Sequence, residues 1–457
     1  MVMELDAKQQ EAVNVCFDTK ARITAVSGEA GTGKTTIMRN VYDGFRQQGY
    51  KCALAAPTGK AAKRIYEATG IHAMTVHRLL EYTHPGEEDP KTGKPFGYSF
   101  PRRDRTNRLE YDVVFVDEYM MMSEELHRNV IDALPRGGLL RCFGDMHQLP
   151  PVENNQNSGE PPFMQVINNK DLPSVELEEN YRVKEGDIIL DNARSIRRGR
   201  SPKRTETTPL TITTQIAQEV ENIVMDCLEN GVSFGDIQNQ VISPTNKTWI
   251  GVGKLNQRLQ MIFMPNAQSD GVPLPRFEYA QKTFGTPYIM PGDKVVVTQN
   301  LYDLRPFEER YEEITDEDVL GQPKFIPPQP QHQVFNGEVG IVSDLEQDGS
   351  VWIDLQDRTV KIASMLEVIT KDQRVTMIDP RKHIDLAYAL TTHKMQGSEV
   401  DSVIYVMGRS ASWILSRRNL YTAYTRARKY VHVVSDQPSL SQALFNRDAR
   451  GFSKGKK

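Results

Sequence analysis

Cysteine is scarce in this 457-residue chain, and the four present, Cys16, Cys52, Cys142 and Cys227, show none of the CxxC or Cys/His spacings that a structural zinc site needs. Their scatter argues equally against a disulfide framework and leaves buried free thiols as the reading. No apolar run approaches the roughly 20 residues of a bilayer span, and the opening MVMELDAKQQ lacks a secretory apolar stretch. An intracellular, cytoplasmic protein without membrane association is therefore expected. Positive charge is not in surplus either, since 56 Lys and Arg against 60 Asp and Glu give a net charge of −4. That balance argues against a chain that coats nucleic acid by bulk charge, so any such partner must be met in a local groove. Two basic clusters, RRDRTNR at 102–108 and RSIRRGRSPKR at 194–204, read either as solvated faces or as parts of such a groove. No repeat of solenoid period is present.

What is there is an ordinary globular composition, 39% apolar and 25% charged, on a chain long enough for roughly three domains. In the first 180 residues the apolar runs ITAV (23–26), CALAAP (52–57), DVVFVDE (112–118) and LLRCFGD (139–145) alternate with helical patterns, which predicts a parallel sheet covered by helices. In such sheets the ligand sits beyond the carboxyl ends of the strands, so the turns that follow these runs should converge. A turn-rich insertion at 84–110 reads as a projecting hairpin or loop. Helical stretches near 187–199, 216–230 and 249–263 flank a strand at 239–243. The segment 266–385 then changes character: an acidic run at 308–319, PPQPQ at 327–331, and short alternating strands in DKVVVTQN, GEVGIVSDL, GSVWIDL and TVKIAS predict a small antiparallel barrel. AYALTTHK, DSVIYVMG and YVHVVSD return to buried parallel strands. The expected division is 1–180 as one α/β domain, 181–265 with 386–457 as a second, and 266–385 as an inserted β domain.

The stretch GEAGTGKTT, Gly28 to Thr36, follows a strand and opens a helix, which is the context a P-loop requires. Its glycines, Gly28, Gly31 and Gly33, let backbone N–H groups wrap phosphates; Lys34 reaches the β- and γ-phosphates, and the Thr35 hydroxyl coordinates Mg²⁺. Thr32 and Thr36 complete the loop. VFVDE supplies Asp117 for the Mg²⁺ shell and Glu118 to orient or deprotonate water, which favours an ATPase over a kinase. GDMHQLPPV places Asp145 and Gln148 just past another strand, within reach of the γ-phosphate. Tyr181 and Arg182 in ENYR, and Arg426 and Arg428 on a predicted helix in YTAYTRARK, are expected on the second domain, where an arginine can stabilise charge growing on the γ-phosphate.

Taken in order, LDAKQQEAV, GEAGTGKTT, APTGKAAKR, TVHRLL, VDE, GDMHQLPPV, ENYR, SPTNK, LTTHKMQGSEVD and YTAYTRARK resemble the motifs of superfamily 1 helicases of the 5′→3′ branch, close to RecD and the Dda-type phage helicases. GDxxQLPPV and THKxQG are typical of that branch. The resemblance implies two RecA-like domains with an SH3-like inserted domain and a strand-separating pin in 84–110, where Phe96, Tyr98 and Phe100 are candidate wedge residues or a small satellite core. It implies ATP and Mg²⁺ as cofactors, and an ATP-dependent DNA helicase acting on single-stranded and forked DNA in replication, recombination or repair. A monomer, with replication or recombination proteins as possible partners, goes with it. By the same resemblance Gln9 bonds adenine, Tyr181 stacks on it, Gln148, Arg182 and Arg426 sense the γ-phosphate, and Glu399 contacts the ribose. Pro57, Thr58, His77, Thr245, Thr391, His393 and Lys394 fall in motifs that touch the DNA strand or couple it to ATP. One departure stands out: DEYMMM sets Tyr119 where the family has a small residue. Two rival readings remain, an ATP-switched single-strand clamp and the helicase subunit of a helicase-nuclease.

Overall fold

The computed structural model describes residues 5–82, 100–151, 160–181, 187–275, 285–301, 304, 311–312, 324–325, 332–369 and 375–448. Its first sheet has six strands: β1 (Ile23–Gly28), β2 (Cys52–Ala56), β3 (Ala73–Thr75), β4 (Val113–Val116), β5 (Leu139–Gly144) and β6 (Ser174–Leu177). They lie in the order β3-β2-β4-β5-β1-β6, and every pairing is parallel. A parallel sheet needs helices on both faces, which is why its central strands are apolar throughout rather than alternating. On β4, Val114 and Val116 enter one core with Met120 and Phe163, while Val113 and Phe115 enter the opposite core with Ile37, Val41 and Phe45. Helix α1 (Ala7–Phe17) opens with a capping box in which the Asp6 carboxylate accepts from Gln9 N at 2.8 Å and Gln9 Oε1 accepts from Asp6 N at 3.2 Å. Helices α2 (Lys34–Gln47) and α3 (Gly59–Thr69) start from the turns after β1 and β2, and Thr58 caps α3 through Ala61 N.

From residue 187 the chain adds β7 (Leu210–Ile212) and β8 (Asn239–Ser243), then β9 (Lys294–Val297), β10 (Val339–Leu345), β11 (Val351–Leu355), β12 (Thr359–Ile362) and β13 (Ile384–Leu386), and finally β14 (Ala389–Thr391), β15 (Val400–Met407) and β16 (Ala427–Ser435). Strands β14-β8-β15-β16-β7 make a second, wholly parallel sheet. Strands β12-β11-β10-β9-β13 make an antiparallel one. The antiparallel sheet is fastened to the second parallel sheet by a shared core that contains Val295, Ile353, Val241 and Ile404. Lys294 strengthens that joint: fully buried, its ammonium donates to the carbonyls of Asn239 at 2.6 Å and Asp236 at 2.8 Å. Burial pushes its pKa down to about 7.

The predicted helix through Arg426 and Arg428 is corrected. The helix is Arg417–Tyr424; Arg426 lies in the following turn and Arg428 on β16. Pairing of Ala427 with Val400, and donation from Val400 N to the Arg426 carbonyl at 2.9 Å, draw the chain into the sheet earlier than its polar sequence suggests. The candidate wedge residues Phe96 and Tyr98, most of the acidic run, PPQPQ and Arg182 lie outside the described residues. The basic cluster at 102–108 is engaged locally, with Arg103 paired to Glu81 at 2.7 Å and Arg105 to Asp132 at 2.9 Å. Among the described residues no helix is long and apolar enough to cross a membrane.

Candidate nucleotide-binding site

Both parallel sheets turn functional residues toward one cleft. Its main cavity, about 350 Å³, is lined by Gln9, Gly31, Gly33, Lys34, Thr35, Thr36, Asp117, Glu118, Gln148 and Tyr181 from the first 181 residues, and by Glu399 and Arg426 from the second sheet. Arg64 on α3, which sequence reasoning passed over, lies between the two groups. In PTGKAAKR it reads as one more charge on a solvated helix face; only the approach of Gly397, whose carbonyl it donates to at 2.6 Å, gives it a place in the cleft.

The P-loop is held from several sides. Gly31 and Gly33 sit at φ 90° and 87°, which side chains other than glycine rarely adopt, and a Cβ on Gly33 would stand 2.5 Å from Gln9 Nε2. Gln9 donates to the Thr32 carbonyl at 3.2 Å, and the Thr32 hydroxyl to the Glu29 carbonyl at 2.9 Å. Gly28 and Thr32 thus support the loop from behind rather than lining the cavity. Tyr181 N donates to the Gly31 carbonyl at 2.9 Å; its ring is half exposed, and its hydroxyl bonds the Asp6 carboxylate. Lys34 donates to the carbonyls of Gly28 at 2.6 Å and Glu29 at 2.8 Å, which holds its ammonium at the cradle.

Asp117 and Glu118 follow β4 directly. Glu118 has φ 50°, a left-handed conformation costly for a residue with a side chain, and its N–H is fixed by the Asp117 carboxylate at 2.8 Å. Burial pushes both carboxyls above the ordinary range; for Glu118 the Asp117 charge adds to this, while Arg426, Lys34 and Arg64 pull it back. Gln148 donates to Asp145 at 3.3 Å, and its buried Oε1 has no hydrogen-bond partner, leaving an orphaned acceptor at the cavity wall. The Thr35 hydroxyl and the Asp117 carboxylate, both from residues of the cavity lining, are hard oxygen donors, which suits Mg²⁺.

Tyr119 accounts for the bulky residue in DEYMMM. It is fully buried, packs on Phe163 and shares a hydrogen bond of 2.6 Å with His127 Nδ1. Tyr119→Phe would leave that buried imidazole unpaired, so a loss of about 1–3 kcal/mol is expected in denaturant unfolding with little change in nucleotide affinity.

A polar seam crosses the cleft beside the cavity. Glu29, a buried carboxylate within the P-loop, accepts from Arg197 at 2.5 Å and lies 3.4 Å from Arg194; Arg197 also bonds Glu176 at 3.1 Å and His147. Tyr421 donates to Asp145 at 2.8 Å, Leu149 N to the Thr422 hydroxyl at 3.0 Å, and Gln396 to the Leu149 carbonyl at 2.6 Å. The second basic cluster is therefore partly committed to the P-loop. Glu399 is paired with Arg64 at 3.4 Å and Arg428 at 3.2 Å.

The candidate DNA residues fall into two groups at strand ends. Pro57, Thr58 and His77 follow the adjacent strands β2 and β3; the exposed His77 ring lies 4.8 Å from that of Tyr82. Thr245 and Thr391 follow or end the adjacent strands β8 and β14, where both hydroxyls accept backbone N–H groups, of Lys247 and Lys394. His393 is pushed down to about 4 by burial against a hydrogen bond with the Pro150 backbone, and burial lowers Lys394 as well.

A P-loop paired with an acidic strand end, facing an arginine from a second parallel sheet, defines a nucleoside triphosphatase of the two-lobed RecA-like class. Comparisons place it further. Residues 4–211 match an AAA domain model and residues 386–434 a UvrD-like helicase C-terminal domain model. The ATP-dependent RecD2 DNA helicase of Deinococcus radiodurans is 30% identical over 415 residues, covering 89% of this chain and 46% of that protein. The RecBCD enzyme subunit RecD of Mycobacterium tuberculosis is 26% identical over 462 residues, covering 94% of this chain and 69% of that protein. The chain thus spans about half the length of the first of these relatives. Solved structures with the same fold include two Pif1 helicases coordinating at forked duplex DNA (19% identity, 96% of this chain and 94% of that one, TM-score 0.53) and Pif1 helicase from Candida albicans (19%, 95% and 94%, 0.53). Over most of its length the chain is therefore similar to RecD-type helicases, and it shares its fold with Pif1.

Proposed function

We propose that this chain is an ATP-dependent DNA helicase that moves 5′→3′ along single-stranded DNA and separates duplex ahead of it. The observation that carries this reading is the cavity in which Lys34, Asp117, Glu118 and Gln148 on one sheet meet Arg426 and Glu399 from the other. Such a site is complete only when the lobes are together. Lys34 and the loop N–H groups hold the phosphates, with Gln9 and Tyr181 at the base. Thr35 and Asp117 would hold Mg²⁺, which neutralises charge on the β- and γ-phosphate oxygens when bound. Glu118 orients a water whose oxygen bonds to the γ-phosphorus as the bridging bond to ADP breaks; ADP takes the electron pair, and the water's proton passes to Glu118. Arg426, together with Arg182 and Gln148, meets the charge that grows on the γ-phosphate.

Bound ATP adds contacts across the cleft that ADP lacks, and only such differential contacts shift the lobes between closed and open. The strand-end groups around Thr58 and His77, and around Thr245, Thr391, His393 and Lys394, sit one on each lobe. Alternating their grip on a DNA strand as the cleft works would advance the protein. Separating one base-pair step costs about 1.4 kcal/mol, well within one ATP. We read 1–180 and 181–265 with 386–457 as the RecA-like domains, 266–385 as an SH3-like insertion beside the strand path, and 84–110 as the pin. The relative named a RecBCD subunit makes a complex with recombination proteins a reasonable setting.

The test is strand displacement on otherwise identical duplexes with a 5′ or a 3′ single-stranded tail. Displacement from the 5′ tail alone, with ATP hydrolysis stimulated by single strands, is expected. Stimulated hydrolysis with no displacement from either tail would leave an ATP-switched clamp as the function, and displacement only from the 3′ tail would reverse the polarity.

A further inference from the structure

A second cavity, of about 180 Å³, lies behind the nucleotide pocket, where α3, the loops bounding β10 and β11, and the starts of β8, β15 and β16 meet. It shares Arg64 and Glu399 with the nucleotide pocket, so the two spaces adjoin at those side chains. It has room for several water-sized groups.

Its lining carries four cations, Lys60, Lys63, Arg64 and Arg428, and four carboxylates, Glu67, Glu338, Asp357 and Glu399, but they are unevenly paired. Glu338 and Asp357 are each held by two cations, Lys63 (3.2 and 2.7 Å) and Arg358 (2.8 Å to both). Glu399 is likewise divided between Arg64 and Arg428. Lys60, the second residue of α3, is the exception: among the described residues it makes neither a hydrogen bond nor an ion pair, although it is partly buried and lines the cavity. Burial, then Arg64, Lys63 and Arg426, press its ammonium down to about 8, and Glu338 opposes them only from a distance. Glu67, two turns farther along α3, also lines the space. A cation desolvated among cations is costly unless an anion arrives to pair with it.

We propose that this cavity is an inorganic-phosphate site anchored by Lys60, through which the phosphate freed by hydrolysis leaves the nucleotide pocket. The proposal rests on the nucleotide-hydrolysis reading above. By that reading the γ-phosphate lies near Glu118 and Arg426, which line the nucleotide pocket, and Arg426 is among the charges that act on Lys60. A freed phosphate therefore meets, in the adjoining space, a cation that no carboxylate has claimed. Arg64 and Glu399, which pair at 3.4 Å, line both spaces. A charge-assisted hydrogen bond from Lys60 supplies what the crowded cations lack. ADP stays behind on the backbone cradle, so the two products part by different routes, and reopening of the cleft need not wait for both.

The test uses the full chain with inorganic phosphate as the probe. Steady-state ATPase is followed under added phosphate and, separately, added ADP, for the wild type, Lys60→Met, Lys60→Gln and Lys60→Arg. Inhibition by phosphate should weaken about tenfold in the Met and Gln variants, with ADP inhibition unchanged and phosphate sensitivity restored by Arg. In a single turnover, a fluorescent phosphate sensor should report altered release in Lys60→Met while acid quench reports an unaltered hydrolysis step. A purely structural lysine would move both steps or neither. Equal phosphate inhibition in wild type and both neutral variants overturns the proposal, as does a wild type that phosphate neither inhibits nor binds. Phosphorus NMR line broadening by the nucleotide-free chain separates the two readings. Broadening indifferent to Lys60 in a chain that hydrolyses ATP overturns the phosphate site alone. A wild type without hydrolysis overturns the ATPase reading, and the exit role with it.

Discussion

Lys34→Ala is expected to lower kcat/KM for ATP by about 10³-fold or more while leaving a folded chain. The first half of that expectation follows from position: Lys34 is the cation that the loop itself presents to the phosphates, and its ammonium is held at the cradle by the Gly28 and Glu29 carbonyls. The second half follows from how many other contacts fix the loop. Gln9 holds the Thr32 carbonyl, Tyr181 N the Gly31 carbonyl, and Asn180 the Ala30 carbonyl at 2.6 Å. The Glu29 carboxylate meanwhile stays clamped by Arg197. Removing one ammonium leaves all four in place, so the cradle should persist without its charge. Thermal melting within a few degrees of wild type, together with lost ATP turnover, is the expected pair of results. Normal turnover would reject the P-loop assignment, and a collapsed melting transition would show that Lys34 is chiefly a staple of the loop.

The fold was legible wherever an apolar run was long enough to be buried on both faces. β1, β2, β4, β5, β8 and β15 announce themselves because a central parallel strand cannot afford a polar face. The strands that escaped are short and lie at sheet edges: β3 and β6 close the first sheet and β7 the second, with three or four residues each. In β6, Ser174 is exposed and Glu176 is drawn to Arg197, so only Val175 and Leu177 are apolar, an alternation too short to mark a strand. The antiparallel sheet was visible as four alternating strands, but its fifth, β13, runs on almost directly into β14 of the parallel sheet and carries no turn signal to separate them.

The candidate site divides in the same way. Residues in contiguous motifs at strand ends, Lys34, Thr35, Asp117, Glu118 and Gln148, meet in one cavity, and Glu399 and Arg426 join them from more than two hundred residues away. Residues whose place depends on how the lobes meet left no local mark. Arg64, Arg197, Tyr421 and Thr422 look like ordinary helix residues, and their partners Gly397, Glu29, Asp145 and Leu149 are remote in sequence. The carboxylate of Glu29 was the available clue. A negative charge buried in a phosphate-binding loop requires a cation nearby, and the chain supplies it from across the cleft.

Arg426→Ala should bind ATP nearly as well as the wild type and hydrolyse it about 10³-fold more slowly. Arg426 is almost wholly buried, and three of its N–H groups are already committed: Nε to the Thr422 carbonyl at 3.0 Å, Nη1 to the Ser398 carbonyl at 3.0 Å and Nη2 to the Thr425 hydroxyl at 3.1 Å. These bonds fix the plane of the guanidinium before any nucleotide arrives. The charge faces a cavity where Glu118 and Glu399 supply the opposing field. A donor preorganised in this way contributes most where charge is greatest, in the transition state, and little to ground-state binding. The loss should therefore appear in kcat rather than in KM, as measured by steady-state hydrolysis alongside titration of a fluorescent ATP analogue. Arg426→Lys separates charge from geometry: a lysine keeps the cation but lacks the fork that the three oxygens hold, so it should recover only a small part of the lost rate. An unchanged kcat in both variants would make Arg426 a structural brace between the helix Arg417–Tyr424 and the turn at Ser398. Catalytic charge stabilisation would then have to come from the first lobe alone.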